Sequence, residues 1–215
     1  MSATSDADAF SPASTLGVLV SGRGSNLQAL IDAIAQGRLA ARIAVVISNR
    51  PGAVGLERAR NAGIEAITVN HRDYVTRDQF DAEVAAALID RGVRLVCLAG
   101  FMRLIGGPML RAFPNAILNI HPSLLPAFPG VDAQAQAIAH GVKVSGATVH
   151  LVNGELDGGP IVLQAPVDVL DDDTAASLSA RILEQEHRLY PEAVRLVLAG
   201  GWQIVGRRFI RSEVV

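Results

Sequence analysis

The strongest constraint on the fold is the alternation of short apolar runs with amphipathic stretches over the first 120 or so residues. The runs are rich in Val, Ile and Leu, have the length of strands, and lie at 16–20, 41–48, 65–69, 94–100 and 116–120. Helical patterns separate them, the first being LQALIDAIAQG with its Leu and Ile residues on one face. Strands without polar alternation are covered on both faces. The pattern therefore predicts an α/β protein with a mostly parallel, Rossmann-like sheet and helices on both faces.

The pattern changes in the second half of the chain. Residues 144–152 and 160–169 are two further apolar runs joined by NGELDGG, which predicts a hairpin with a long loop. Residues 174–200 predict a long helix that contains a proline, and residues 202–205 predict a last edge strand. We expect this C-terminal hairpin and long helix to extend the same sheet.

The composition favours one domain that acts on small molecules. The chain has 215 residues, 50% of them hydrophobic, and we expect a single domain at 16–215 after a disordered N-terminal tail at 1–15. The net charge is −2, so the chain lacks the excess of basic residues that nucleic-acid-binding proteins usually have. The tail lacks the features of a signal peptide, and no run reaches the roughly 20 apolar residues of a membrane span. A cytoplasmic location is therefore expected.

A glycine-rich turn, SGRGSN at residues 21–26, separates the first apolar run from the first helix. Glycines let a ligand approach the backbone closely, and Ser25 is expected to cap the helix. The free N–H groups of the first helical turn then predict a phosphate site. The turn lacks the GK[ST] ending of a P-loop, and Leu27 replaces the third glycine of a dinucleotide fingerprint, so a single phosphate fits better than a pyrophosphate. The alternative is a tight turn with an ordinary N-cap.

The fifth run ends in the proline-rich segment NIHPSLLPAFPG, residues 119–130. Asn119 and His121 are two positions apart, so an extended chain projects both from one face, at the strand end where open parallel sheets bind ligands. An amide donor and an imidazole can stabilise an oxyanion and move protons in acyl transfer. The alternative is that both side chains only terminate the strand, which leaves the prolines unexplained.

A carboxylate that can set the charge of His121 stands at the predicted hairpin tip. Asp157 is followed by Gly158 and Gly159, which are expected to allow an unusual backbone there. A carboxylate beside an imidazole favours the imidazolium. The sequence alone does not bring the two groups together, and Asp-Gly is also common at hairpin tips.

The other reactive residue types favour chemistry without a metal or a covalent enzyme intermediate. Cys97 lies in the apolar run LVCLAG and is expected to be buried, and His150 is interpreted as a strand histidine with satisfied hydrogen bonds. His71 and His140 fall in predicted loops and His187 in the long helix. The chain contains no CxxC, HExxH or GxSxG motif.

Six motifs resemble those of one enzyme family in both order and spacing. They are LVSGRGSNLQAL, SNRPGAVGLERARNAGI, LAGFMRL, LNIHPSLLPAFPG, SGATVHLV and ELDGGPIVLQ. The chain resembles the phosphoribosylglycinamide formyltransferase family over most of its length. NIHPSLLP and LDGGPI are typical of formyltetrahydrofolate transferases and hydrolases, and SGxGSNLQAL points to the glycinamide ribonucleotide branch.

The resemblance implies both a fold and a reaction. The fold is the formyltransferase fold, and the reaction is direct transfer of a formyl group through a tetrahedral intermediate. The donor is 10-formyltetrahydrofolate, a cosubstrate, and the acceptor is the amine of glycinamide ribonucleotide in de novo purine biosynthesis. The resemblance also divides the domain into a phosphate-binding half, about 16–115, and a folate and catalytic half, about 116–215. The reaction that the resemblance implies needs no metal ion.

The resemblance further implies roles for individual residues. His121 would be the general acid, Asp157 would support its protonated form, and Asn119 would stabilise the tetrahedral intermediate. The phosphate and ribose of the substrate would be held by Gly24, Ser25, Asn26 and Glu186. The folate would contact Arg77, Met102, Arg103, Leu104, Ile105 and Asn119, with Arg103 suited to the glutamate tail. For Arg77, Arg103 and Glu186, the alternative is a solvated surface charge.

Two positions depart from the family pattern. Related enzymes often carry histidines after FPG, whereas this chain reads VDAQAQAI, so no histidine role is assigned there. Leu183 stands where a polar residue is common, which weakens the substrate contact assigned to Glu186.

Alternative functions remain. A 10-formyltetrahydrofolate hydrolase usually carries a regulatory domain before the catalytic one, and only about fifteen residues precede the first run here. A methionyl-tRNA formyltransferase has a basic C-terminal domain, which this near-neutral chain lacks. A non-catalytic nucleotide- or folate-binding protein of the same fold has no need of Asn119, His121 and Asp157. We expect a monomer or homodimer that binds neither nucleic acid nor membrane.

Overall fold

The computed structural model describes residues 14–211. The first elements are β1 (Thr15–Val20), α1 (Ser25–Ala35), β2 (Arg42–Ser48), α2 (Val54–Asn61), β3 (Glu65–Thr68), α3 (Arg77–Ile89), β4 (Leu95–Leu98), α4 (Gly107–Ala112) and β5 (Ile117–His121). They are followed by α5 (Ala133–His140), β6 (Val144–Leu151), β7 (Ile161–Asp168), α6 (Ala175–Ala199), β8 (Trp202–Val205) and β9 (Arg208–Arg211).

The strands form one sheet in the order β3-β2-β1-β4-β5-β6-β7-β9-β8. β1 to β5 pair in parallel, and β6 and β7 join them as antiparallel strands. This confirms the predicted mostly parallel sheet extended by a C-terminal hairpin. The strand order reverses between β1 and β4, because the chain first builds outward through β2 and β3 and then crosses to the other side. Ligands bind at such a switch point in open α/β sheets.

Helices bury both faces of the sheet, as predicted. The central strand β1 is buried throughout, and its side chains alternate between two cores. Val18 packs in the core that contains Leu30 of α1 and Val194 of α6, and Leu19 packs in the core that contains Phe80 of α3. Each side chain of this kind contributes about 1.5–3 kcal/mol when it is fully buried.

The long helix α6 is hydrogen-bonded to strands β4 and β5 beside the switch point. Its N-terminus is a capping box in which the hydroxyl of Thr174 accepts a hydrogen bond from the Ser177 N–H. Further along, the hydroxyl of the fully buried Tyr190 donates to the carbonyl oxygens of Leu98 and Leu118, at 3.0 and 3.1 Å. These carbonyls belong to β4 and β5, so α6 is fixed over the ends of two adjacent strands.

Two elements were not predicted from the sequence. Helix α5 begins within the stretch VDAQAQAI, which was noted only as a departure from the family pattern, and β9 inserts between β7 and β8. The predicted tail at 1–15 lies outside the described residues except for its last two, of which Thr15 is the first residue of β1. Within residues 14–211, the helices are too short or too polar to cross a membrane.

Candidate active site

The switch point carries a cluster of loops held together by one serine. The Ser21 N–H donates to Gly100 O at 3.1 Å, and the Ser21 hydroxyl donates to Asn49 Oδ1 at 2.6 Å. The same hydroxyl accepts a hydrogen bond from the Met102 N–H at 2.8 Å. The loops that follow β1, β2 and β4 are therefore fixed to one another at the carboxyl edge of the sheet.

The glycine-rich turn starts α1 differently from the prediction. Gly24, not Ser25, is the N-cap residue, with a left-handed backbone at φ 68° and no capping side chain. The predicted Ser25 cap is therefore wrong, because Ser25 is already the first helical residue. A Cβ at Gly24 would lie 2.7 Å from the Cα of Gly55 in α2, so glycine is required by both the backbone angle and the contact. The first N–H groups of α1 consequently receive no side-chain acceptor.

Asn26 and Glu186 meet beside this helix start. Asn26 Nδ2 donates to Glu186 Oε2 at 2.7 Å, and both side chains are buried. Asn26 Oδ1 is also buried but has no hydrogen-bond partner among the described residues. Burial raises the pKa of Glu186, and the hydrogen bond from Asn26 opposes that rise. Two of the predicted substrate contacts thus lie together, with acceptor atoms available for a ligand.

Asn119, His121 and Asp157 converge at the end of β5. His121 Nδ1 lies 3.4 Å from Asp157 Oδ2, and Asn119 Nδ2 lies 3.5 Å from Asp157 Oδ1. His121 Nε2 donates to the carbonyl oxygen of Phe128 at 2.8 Å. Each ring nitrogen of His121 therefore faces an oxygen atom that can accept a hydrogen bond.

Asp157 has an unusual backbone conformation. Its φ of 49° is left-handed, an uncommon value for a residue other than glycine that occurs at functional sites. The unusual angle thus lies at Asp157 itself rather than at the two glycines after it. Gly159 is needed for another reason, because a Cβ there would lie 1.7 Å from the carbonyl oxygen of Leu151.

The pKa of Asp157 is lowered by its neighbours. Burial raises the pKa, but a hydrogen bond from His150, the Gly130 N–H at 2.8 Å and the charge of His121 together outweigh that effect. The carboxyl group of Asp157 is therefore ionised at neutral pH.

The proline-rich segment is bound to the hairpin. The Thr148 hydroxyl donates to Ser123 O at 2.7 Å and accepts from the Leu125 N–H at 3.1 Å. Gln164 Nε2 donates to Leu125 O at 2.9 Å. These contacts from β6 and β7 hold the segment that covers His121, in agreement with the prediction that the exit from β5 is restrained.

His150 belongs to the cluster although it was interpreted as a satisfied strand residue. It lies directly opposite Asn119 in the β5–β6 pairing, and its Nε2 is 3.1 Å from Asn119 Nδ2 and 3.6 Å from Asp157 Oδ1. Its Nδ1 donates to the carbonyl oxygen of Leu151 at 3.0 Å. Only the register of the hairpin against β5 could have revealed this position, and the sequence does not provide that register.

The predicted folate segment lies between β4 and α4. Met102 and Leu104 expose most of their side chains, at 64% and 53%. The Arg103 guanidinium lies over the ring of Phe80 at 5.0 Å, and its buried Nε has no partner among residues 14–211. An exposed apolar pair beside an arginine with an unsatisfied donor fits a ligand with an aromatic body and a carboxylate tail.

The remaining predicted folate residues frame this segment. Arg77 is the first residue of α3, Ile105 is half-buried, and Asn119 belongs to the cluster with His121 and Asp157. The buried Asp81 accepts a hydrogen bond from the Gly106 N–H at 2.5 Å. This hydrogen bond and the positive charges of Arg77 and Arg103 lower the pKa of Asp81. Burial is the larger effect and raises the pKa of Asp81. In the described part of the chain, no group of three His, Cys, Asp or Glu residues could hold a metal ion.

Comparison with known proteins links this site to one family. The family model described as formyl transferase matches residues 15–194. The trifunctional purine biosynthetic protein adenosine-3 of Drosophila melanogaster is 47% identical over 186 residues, 85% of this chain, but the chain spans only 14% of that relative's length. The phosphoribosylglycinamide formyltransferase of Escherichia coli K12 is 42% identical over 174 residues, 81% of this chain and 82% of the relative.

A solved structure gives the same result. The glycinamide ribonucleotide transformylase 1 of Symbiobacterium toebii is 57% identical, with a TM-score of 0.91 over 93% of this chain and 94% of that one.

Proposed function

Because the chain belongs to the formyl transferase family, we propose that it transfers the formyl group of 10-formyltetrahydrofolate to the amine of glycinamide ribonucleotide in de novo purine biosynthesis. The observation that carries the proposal is the convergence of Asn119, His121 and Asp157 at the end of β5. An amide, an imidazole and an ionised carboxylate are the groups that acyl transfer to an amine requires. The names of the relatives from Escherichia coli and Symbiobacterium toebii support the same substrates.

The chemistry follows from the charges of these groups. The amine of the ribonucleotide attacks the formyl carbon, a C–N bond forms, and the carbonyl oxygen becomes an oxyanion. The Asn119 amide and the His121 imidazolium stabilise that oxyanion, and a donor of this kind contributes about 10²–10³ in rate. The amine then loses a proton, the bond from carbon to the folate nitrogen breaks, and that nitrogen gains a proton. His121 and Asp157, with water, relay these protons.

The substrates are placed by the loops of the switch point. The start of α1, at Gly24, Ser25 and Asn26, holds the phosphate, because its N–H groups are free and the helix dipole favours an anion. Glu186 accepts a hydrogen bond from a ribose hydroxyl. The folate lies against Met102, Leu104 and Ile105, with Arg77 and Arg103 toward its glutamate tail. The ribonucleotide amine and the formyl carbon meet beside His121.

One assay separates this function from its alternatives. The purified chain is incubated with 10-formyltetrahydrofolate, with and without glycinamide ribonucleotide, and tetrahydrofolate is measured. Release that requires the ribonucleotide supports formyl transfer. Release without it indicates a hydrolase, and no release with demonstrated binding of both ligands indicates a binding protein; either result refutes the proposal.

Further properties belong to the proposal. The substrates are small molecules, and we place the protein in the cytoplasm, as a single domain that works as a monomer or homodimer. Nucleic acid and membrane have no part in this reaction.

A further inference from the structure

Helix α2 contacts the glycine-rich turn through two successive peptide groups. The Gly55 N–H donates to Gly22 O at 2.9 Å, and Arg58 Nε donates to Arg23 O at 2.8 Å. In a trans peptide the C=O and the following N–H point in opposite directions. Since the carbonyls of Gly22 and Arg23 point toward α2, the N–H groups of Arg23 and Gly24 point away from it. Successive N–H groups arranged in this way form an anion-binding concavity.

Arg58 is itself held in a chain of hydrogen bonds. Its Nη1 donates to Gln28 Oε1 at 3.2 Å, and Gln28 Nε2 donates to Asp32 Oδ1 at 2.9 Å. Ser25, Gln28, Asp32, Arg58 and His187 all line one cavity of about 310 Å³ beside the helix start. Among residues 14–211, Arg58 forms no direct ion pair with a carboxylate. Its guanidinium lines the cavity and is connected to the carboxylate of Asp32 only indirectly, through the side chain of Gln28.

A second observation points to a ligand at this turn. Asn26 is only 7% exposed, yet its Oδ1 has no hydrogen-bond partner in the described chain. A buried acceptor without a partner is costly, and a donor group of a bound ligand would satisfy it.

We infer that Arg58 is a positioning residue for the phosphate of the ribonucleotide, which acts by fixing the Arg23–Gly24 peptide so that its N–H faces the phosphate. This inference rests on the proposed function. Its consequence is specific, because loss of Arg58 should weaken binding of the phosphorylated substrate and leave the folate site and the catalytic cluster unchanged.

The test compares two substitutions on the same helix. Arg58→Met removes both hydrogen bonds and keeps the length of the stem, and Arg60→Met removes an equal charge from an exposed neighbour. Calorimetry with glycinamide ribonucleotide should give a Kd about tenfold higher for Arg58→Met and within about twofold of wild type for Arg60→Met. Arg58→Lys should fall between, because one donor and the charge remain.

Two controls separate positioning from damage to the fold. Glycinamide riboside, which lacks the phosphate, should bind the wild type and Arg58→Met equally, measured by competition. The KM for 10-formyltetrahydrofolate and the kcat at saturation should stay within about threefold of wild type. An Arg58→Met Kd equal to that of wild type, or an equal loss for the riboside, would overturn the inference. Binding without turnover in the wild type would refute only the proposed function, since calorimetry does not need catalysis.

Discussion

His121 Nδ1 lies 3.4 Å from Asp157 Oδ2, although one residue ends strand β5 and the other lies in the connection between β6 and β7. Both side chains are almost completely buried, at 6% and 9% exposure. Because both groups are shielded from water, an electrostatic interaction between them is screened little by salt. The packing of the hairpin against β5 thus brings together a carboxylate and an imidazole from distant parts of the chain.

The lowered pKa of Asp157 gives a pH-dependent contribution to stability. Because the pKa is lower in the folded than in the unfolded chain, the ionised group stabilises the fold above the unfolded value of about 3.9. This contribution disappears as the pH falls through the lowered pKa of the folded chain. We expect Asp157→Asn to be less stable than wild type at pH 7, with a difference that shrinks below about pH 4.

Asp157→Asn is a suitable variant for this measurement. Asparagine tolerates the left-handed backbone at this position and can still accept the Gly130 N–H. Denaturant unfolding at pH 7, 5, 4 and 3 checks the prediction. A constant difference between the two proteins over this range would show that the charge of Asp157 does not interact with His121 and His150.

Much of the fold could be predicted because it depends on local patterns. The buried strands β1, β4 and β5 and the second half of β2 are largely apolar runs, and apolar residues recur every three to four positions in the helices between them. The short helix α5 was missed because its apolar residues are alanines apart from Ile138, so it shows no stripe of large apolar side chains. The N-cap at Gly24 was misassigned because serine is the common capping residue, and only the structure shows the left-handed backbone and the contact with Gly55 that require glycine there.

The active site was harder to predict because it depends on contacts between distant segments. Asn119 and His121 share a strand, so the period of two placed them on one face. The positions of Asp157 and His150 depend on the register of the hairpin against β5, which is set by the whole core. A sequence pattern indicates which residues are chemically able to act, and the three-dimensional packing decides which of them meet.

A negative charge at the start of α1 should oppose phosphate binding. Ser25→Glu places a carboxylate at the first helical position. The helix dipole stabilises a negative charge there, so the substitution preserves the fold. We expect KM for the ribonucleotide to rise by about tenfold or more through like-charge repulsion, while KM for the folate is unchanged. Steady-state kinetics with Ser25→Gln as the neutral control would measure this. An equal KM for both variants would place the phosphate elsewhere.

Replacement of Glu186 should separate stability from binding. Burial raises the pKa of Glu186, so ionisation destabilises the folded chain as the pH rises above the unfolded value of about 4.3. Glu186→Gln keeps an acceptor for Asn26 but carries no charge. We expect a higher Tm than wild type at pH 7.5, a difference that vanishes near pH 4, and a raised KM for the ribonucleotide. The exposed Glu184→Gln is the matched control on the same helix. A lower Tm at pH 7.5 would contradict the prediction.

The single cysteine reports on the packing of the core. Burial raises the pKa of Cys97 to about 12, and its side chain is inaccessible to solvent. Since the thiolate is the reactive form, a disulfide reagent at pH 8 should leave the folded chain unlabelled for hours. In guanidinium chloride one equivalent should react rapidly. Labelling within minutes in native buffer would show that the sheet opens beneath α6.

The role of His121 tests the account most directly. The measurement is kcat of His121→Ala with glycinamide ribonucleotide and 10-formyltetrahydrofolate both saturating, after circular dichroism has verified that the variant is folded. In the proposed mechanism His121 stabilises the oxyanion and moves a proton, so we predict that kcat falls by about 10²–10⁴ while both KM values change by less than about fivefold. A variant that keeps near wild-type kcat would contradict the assignment of the catalytic centre to Asn119, His121 and Asp157.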